Sequence, residues 1–232
     1  MNHWLTFARG PLFAFTFLIM ILGLARLVVI QVSSLVRDKG RRLGNASWPK
    51  ILAEGASWIV PVRHLIPGTK FFSVVSYFFH IGILIVPVLL AEHIALWEDL
   101  LGLNLPSIGQ RSAEFLTLST ILCGMVLLGI RTFSRTARAN SRCADYLLLV
   151  AVLLPFASGY LAMHPQYNLF PWQMMMLIHL LSAELLFLLV PFTKLSHVVL
   201  FFFDRISVLH WQLRPGAGDK VAEALFGEEA RV

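Results

Sequence analysis

The sequence predicts an all-α integral membrane protein of five transmembrane helices, with its N-terminus outside and its C-terminus in the cytoplasm. Three observations carry this. The 232 residues are 57% hydrophobic and only 14% charged, and the mean hydropathy is +0.74, far beyond the soluble globular range. Five apolar runs are each long enough to supply the about 20 residues of helix that a hydrocarbon core of roughly 30 Å requires. The basic residues, finally, are shared unequally between the two sets of connections.

The five runs cover roughly 11–32, 72–97, 113–133, 143–163 and 173–203. The first differs from a secretory signal: its apolar run is long, it has no A-x-A-like cleavage site, and Arg26 continues the same helical pattern, so it is expected to be a retained span. Between spans one and two lie Arg37, Lys39, Arg41, Arg42, Lys50, Arg63 and Lys70, and between spans three and four Arg131, Arg135, Arg138 and Arg142. The opposite side holds only Arg9 and Arg111, with Glu98 and Asp99 beside them. The positive-inside rule sets the orientation from this bias, and Trp97 and Trp172 then sit at outer span ends as interfacial anchors. Residues 1–203 thus form the membrane domain, with a cytoplasmic interfacial loop at 37–70 and a cytoplasmic tail at 204–232. Within that loop "SWPKILAEGASWIVPVRHLIPGTK" (47–70) mixes Trp, Pro and basic residues, which suits a segment lying in the membrane interface or a docking surface for a soluble partner.

Two function classes fall away early. The net charge of +6 does not indicate nucleic-acid binding, because the basic residues sit between apolar runs and no aromatic-basic strip appears. The two cysteines, Cys123 and Cys143, form no C-x-x-C, so neither a thiolate zinc site nor a covalent c-type haem attachment is offered.

Of eight histidines, four fall inside apolar runs: His80 and His93 in span two, His179 and His197 in span five. If each span is one continuous helix, His179 and His197 share a face about 27 Å apart along the axis, and His80 and His93 are about 20 Å apart. With the two helices antiparallel, His80 and His197 match in depth near the cytoplasmic side, and His93 and His179 near the outer side. A single intramembrane histidine is more often a hydrogen-bonded helix contact than a ligand. Two pairs, one above the other, are what two non-covalently held haems ask for, each iron taking one imidazole nitrogen from either helix. A proton relay or a metal transporter could also use four such histidines, making the chain a haem-free transporter or anchor.

Three stretches carry a resemblance. "FFHIGIL" (78–84), "RTFSRTARANSRCAD" (131–145) and "HLLSAELLFLLVPFTKLSH" (179–197) together resemble the gamma subunit of respiratory nitrate reductase and the cytochrome b subunits serving heterodisulfide-reductase-like iron–sulfur proteins. The specific part is F-H-I-G-I-L together with H-x17-H bearing P-F-T-K-L before the second histidine. The resemblance implies a five-span electron-transfer subunit of a multi-subunit oxidoreductase in a bacterial or archaeal cytoplasmic membrane. It also implies two b-type haems between helices two and five, with quinol oxidised near the outer face and electrons passed to a cytoplasmic iron–sulfur partner. The same cytochrome working in reverse would reduce quinone. By position, His80 and His197 match the ligands of the inner haem, and His179 matches one ligand of the outer haem. The fourth family position, ten residues after the first histidine, is Leu90 here. His93, one turn further and rotated by about 60° on a continuous helix, is taken as the substitute.

Haem propionates need cationic neighbours, for which Arg26, Arg131, Arg135 and Arg138 are candidates; as topology determinants they would equally lie in the headgroup region. Quinol oxidation releases protons, and the acidic side chains within reach of the apolar runs are Glu92, beside His93, and Glu184, deeper and rotated away from the face of His179. Pro191 is expected to kink span five.

Overall fold

The protein is described by a computed structural model, which covers residues 1–38 and 70–212, with isolated positions 49, 53 and 55 between them. Most of the expected interfacial loop, including Lys39, Arg41, Arg42, Lys50, Arg63 and His64, and the tail beyond 212 lie outside the described residues. Among the described residues every regular element is helical. Five helices among the described residues are long and apolar enough to cross a membrane: Asn2–Ser34, Lys70–Leu89, Gln110–Phe133, Cys143–Met163 and Trp172–Phe192. That is the architecture of a multi-pass membrane protein. Large apolar side chains such as Phe115, Leu122 and Leu147 are exposed along these helices, which suits a surface meeting lipid rather than water.

The chain groups into two units, residues 1–18 with 66–188, and residues 19–65 with 189–232. The first unit opens with α1 (Asn2–Phe7) and a widened turn at Ala8–Leu12, and takes in the start of α2 (Phe13–Asp38). Pro11 lies in the widened turn, which accommodates its missing N–H without ending the run. There follow α3 (Lys70–Leu89), α4 (Ala91–Leu101), α5 (Gln110–Phe133), the short α6 (Arg135–Ala139), α7 (Cys143–Met163), a 3-10 turn at Pro165–Tyr167, and α8 (Trp172–Leu189).

Helices α3 and α5 pack most closely, and α5 packs on α7. Lipid supplies no hydrophobic drive for such pairs, so they depend on small residues that let backbones approach. Gly82 of α3 lies against the fully buried Thr120 of α5, and Gly124 of α5 lies against Phe79 of α3 and Leu153 of α7. The Thr120 hydroxyl donates to the Leu116 carbonyl of its own helix at 2.6 Å, so nothing polar is left open at the contact. At the far end of α5, the Tyr146 hydroxyl donates to the Arg131 carbonyl at 2.8 Å, and the Asp145 carboxylate accepts from the Arg142 N–H at 2.9 Å.

Span two is not the single helix over 72–97 that the sequence suggests. Leu90 is extended (φ −69°, ψ 133°) and separates α3 from α4. Pro87 weakens the last turn of α3 by removing an N–H donor. Past the break, the Leu90 carbonyl accepts from the N–H groups of His93 and Ile94 at 2.9 and 3.0 Å and so starts α4. The Ile108 N–H returns to the Leu89 carbonyl at 3.0 Å, and Gly102 (φ 68°) closes α4 in the left-handed conformation that glycine adopts at no cost.

In the second unit, the expected continuous span 173–203 is also interrupted. Val190–Phe192 and Lys194–Ser196 are separate 3-10 turns with the extended Thr193 (φ −128°, ψ −174°) between them, and α9 begins at His197 (His197–Gln212). The kink expected at Pro191 is therefore a full break. Thr193 holds it, its hydroxyl donating to the Leu189 carbonyl at 2.7 Å and accepting from the Leu195 N–H at 3.3 Å. Pro191 is buried against Gly23 of α2, where a side chain on the glycine would collide with the proline ring. The shared face expected for His179 and His197 presumed an unbroken helix, and the chain between them is interrupted at these turns.

Candidate functional site

Within the first unit, two of the four histidines come together. His93 of α4 and His179 of α8 have ring centroids 6.0 Å apart and ring planes 12° from parallel. The break at Leu90 makes this possible in a way that helical register cannot describe, and the 60° rotation computed for an unbroken span does not apply.

Each ring is fixed through Nδ1. His179 Nδ1 lies 2.8 Å from the Pro155 carbonyl of α7, and His93 Nδ1 lies 3.2 Å from the Pro87 carbonyl of α3. A carbonyl can only accept, so Nδ1 carries a proton in both rings, and in the neutral imidazole Nε2 then keeps its lone pair. The Pro87 carbonyl is available because the extended Leu90 ends the α3 ladder just beyond it. It also accepts from Trp97 Nε1 at 3.3 Å. The Trp97 ring in turn lies 5.6 and 5.4 Å from Phe13 and Phe17, which flank Phe187 at 5.5 and 5.7 Å. An aromatic cluster from α2, α4 and α8 therefore holds the short helix that carries His93.

Two neutral imidazoles on opposite sides of one metal ion, each bonded at about 2.0–2.1 Å, have ring centres about 6 Å apart. The spacing and the common tautomer of His93 and His179 fit that arrangement. Carbonyl partners on the other ring nitrogen are also what metal-binding histidines ordinarily have. Among the described residues no group of three or more His, Cys, Asp or Glu side chains is placed to hold a metal ion.

The other expected site residues are spread more widely. His80 is half-buried on α3, with Nδ1 2.7 Å from the Ser76 carbonyl. His197, in the second unit, opens α9 with Nδ1 2.8 Å from the Lys194 carbonyl. Glu92 is exposed at the start of α4. Glu184 is only 3% exposed, and both carboxyl oxygens are shut off from solvent with no hydrogen-bond partner among the described residues. Arg131 approaches Asp145 at 3.9 Å, Arg138 reaches the Thr132 carbonyl at 3.4 Å, and Arg135 and Arg26 are exposed.

Sequence reasoning missed the carbonyls of Pro87 and Pro155, and Trp97 as a hydrogen-bond donor beside His93. Pro87, three residues ahead of the break, is the one signal that pointed there. It also gave no role to His164, which stacks on Tyr160 with centroids 4.1 Å apart and lies 4.0 Å from Glu114.

No family model matches the chain, and no solved structure matches it. A protein of Nitratidesulfovibrio vulgaris (strain Hildenborough), whose name states no activity, is 32% identical over 209 residues, covering 86% of this chain and 89% of that protein.

Proposed function

The chain belongs to the same family as the Nitratidesulfovibrio vulgaris protein, and we propose that it is a dihaem cytochrome b, a membrane-anchored subunit that oxidises quinol and passes electrons to a cytoplasmic iron–sulfur oxidoreductase. The observation that carries this reading is the His93–His179 pair, near-parallel and 6.0 Å apart. Haem brings four equatorial nitrogens of its own, so two histidines without a third protein ligand suffice for it, whereas a bare transition-metal ion draws three or four ligands from the protein. When bound, haem supplies the one-electron chemistry.

The chain's own residues then have distinct tasks. His93 and His179 offer Nε2 to one iron while Pro87 and Pro155 fix the tautomer. For the second haem, the ligands proposed are His80 and His197, on the strength of the resemblance. Arg26, Arg131, Arg135 and Arg138 are proposed to meet propionates at the cytoplasmic side, which the positive-inside bias assigns to them. Quinol gives up two protons with its two electrons. Glu92, exposed one residue before His93, is proposed to accept one of them, and Glu184 to handle protons deeper in the bundle. The quinone pool and lipid of a bacterial or archaeal inner membrane are the expected surroundings.

A reduced-minus-oxidised spectrum of the full chain, purified with whatever co-purifies, tests the reading. A sharp b-type α-band with about two haems per chain is expected. An intact preparation without bound porphyrin would overturn it.

A further inference from the structure

We infer that Gly159 is a positioning residue that seats the His179 imidazole; this rests on the haem reading above and extends it. Gly159 lies on α7, one helical turn beyond Pro155, whose carbonyl holds His179 Nδ1. A methyl group at position 159 would stand 2.8 Å from Cε1 and 2.9 Å from Nδ1 of the His179 ring. Both separations are inside van der Waals contact. The ring thus lies directly on the α7 backbone, in a space that exists because residue 159 has no side chain.

The consequence is orientation. The Pro155 carbonyl fixes one atom of the ring, and a single hydrogen bond leaves the ring free to swing about it. Contact with the α7 backbone at Gly159 removes that swing. The result is the 12° angle between the His93 and His179 planes. An alanine at 159 forces the ring to tilt or withdraw, because the collision is with ring atoms already tied to Pro155 and not with the free end of a flexible chain. Other helical glycines lack this relation: Gly129 on α5 has nothing within 4 Å of where its methyl would be.

The plane angle of two axial imidazoles is readable by electron paramagnetic resonance. Parallel planes split the iron d orbitals and give a rhombic low-spin ferric signal, while perpendicular planes give a strongly anisotropic one. In the purified holoprotein, the wild type is expected to show a rhombic component from the His93–His179 haem. Gly159→Ala is expected to shift or abolish that component and to move the midpoint potential of one haem, leaving the other haem unchanged. Gly129→Ala, a matched helical glycine, is expected to leave both signals as in the wild type. Identical spectra and potentials in Gly159→Ala and wild type would overturn the inference while leaving the haem reading intact. If Gly159→Ala does not accumulate, the wild-type spectrum decides, since a wild type whose low-spin signals are all strongly anisotropic has no parallel pair to seat. A wild type devoid of haem overturns both.

Discussion

One iron shared by His93 and His179, as proposed, has a numerical consequence for haem content. Their ring centres are 6.0 Å apart, a gap that two metal–nitrogen bonds of about 2.0–2.1 Å fill once, not twice. The substitutions His93→Ala and His179→Ala therefore remove the same haem. Each single variant is expected to fall from about two haems per chain to about one, and the double variant to fall no further. Were the two histidines ligands of different irons, the double variant would lose everything. The assay is pyridine haemochromogen per mole of protein, with a redox titration of the α-band to show which of two waves disappears. His179→Ala also takes one donor from the Pro155 carbonyl, which still accepts from the Ser158 hydroxyl at 3.3 Å, and far-UV circular dichroism must show the helices intact. A folded double variant without haem, or a single variant that keeps both redox waves, would refute the shared-iron geometry.

Trp97→Phe removes one of the two donors to the Pro87 carbonyl, leaving it wholly to His93. The stronger bond makes that imidazole more basic and favours ferric iron, so the midpoint potential of one haem is expected to fall, as read by potentiometric titration. Gly82→Ala overlaps Thr120 across the α3–α5 contact and is expected to cost about 1–3 kcal/mol in thermal unfolding in detergent. Thr120→Gly alone costs about 0.3 kcal/mol of helix propensity in addition to the packing lost at a fully buried position, and the double variant is expected to lose less than the sum because the clash is gone. Glu184→Met replaces an unsatisfied buried carboxyl with an apolar side chain of similar length. Stability is expected to rise by about 1–3 kcal/mol while quinol oxidation by the purified complex slows.

Hydropathy made the helices legible. The runs at 113–133 and 143–163 coincide closely with α5 and α7, because length and apolar content alone set a membrane helix. What failed was register within spans two and five. Counting 3.6 residues per turn presumes an unbroken ladder, and both spans break where proline has taken away a donor, near Pro87 and at Pro191. The depth of His93 in the hydrophobic pattern was readable, but its direction was not. Leu90, the position where the resembling family carries its ligand, is the extended residue between α3 and α4. Thr120 and Gly82 were likewise invisible beforehand, since a small-residue contact shows itself only when the partner helix is known.

The hydrogen bonds at the histidines separate two kinds of placement. His80 and His164 each bond Nδ1 to the carbonyl four residues back, and His197 to the one three back. Such bonds join residues three or four apart in the chain, and they fix a tautomer. His93 reaches six residues back across a helix break, and His179 reaches 24 residues back to a different helix. Those two rings are oriented by tertiary structure, which is costly to build in hydrocarbon and serves no need of the helices that carry them. A histidine present only to bridge helices would be satisfied with its single carbonyl, and its partner ring would have no reason to lie parallel at 6.0 Å. Two independently anchored imidazoles with Nδ1 bonded to a carbonyl in each are the feature on which the proposed shared haem rests.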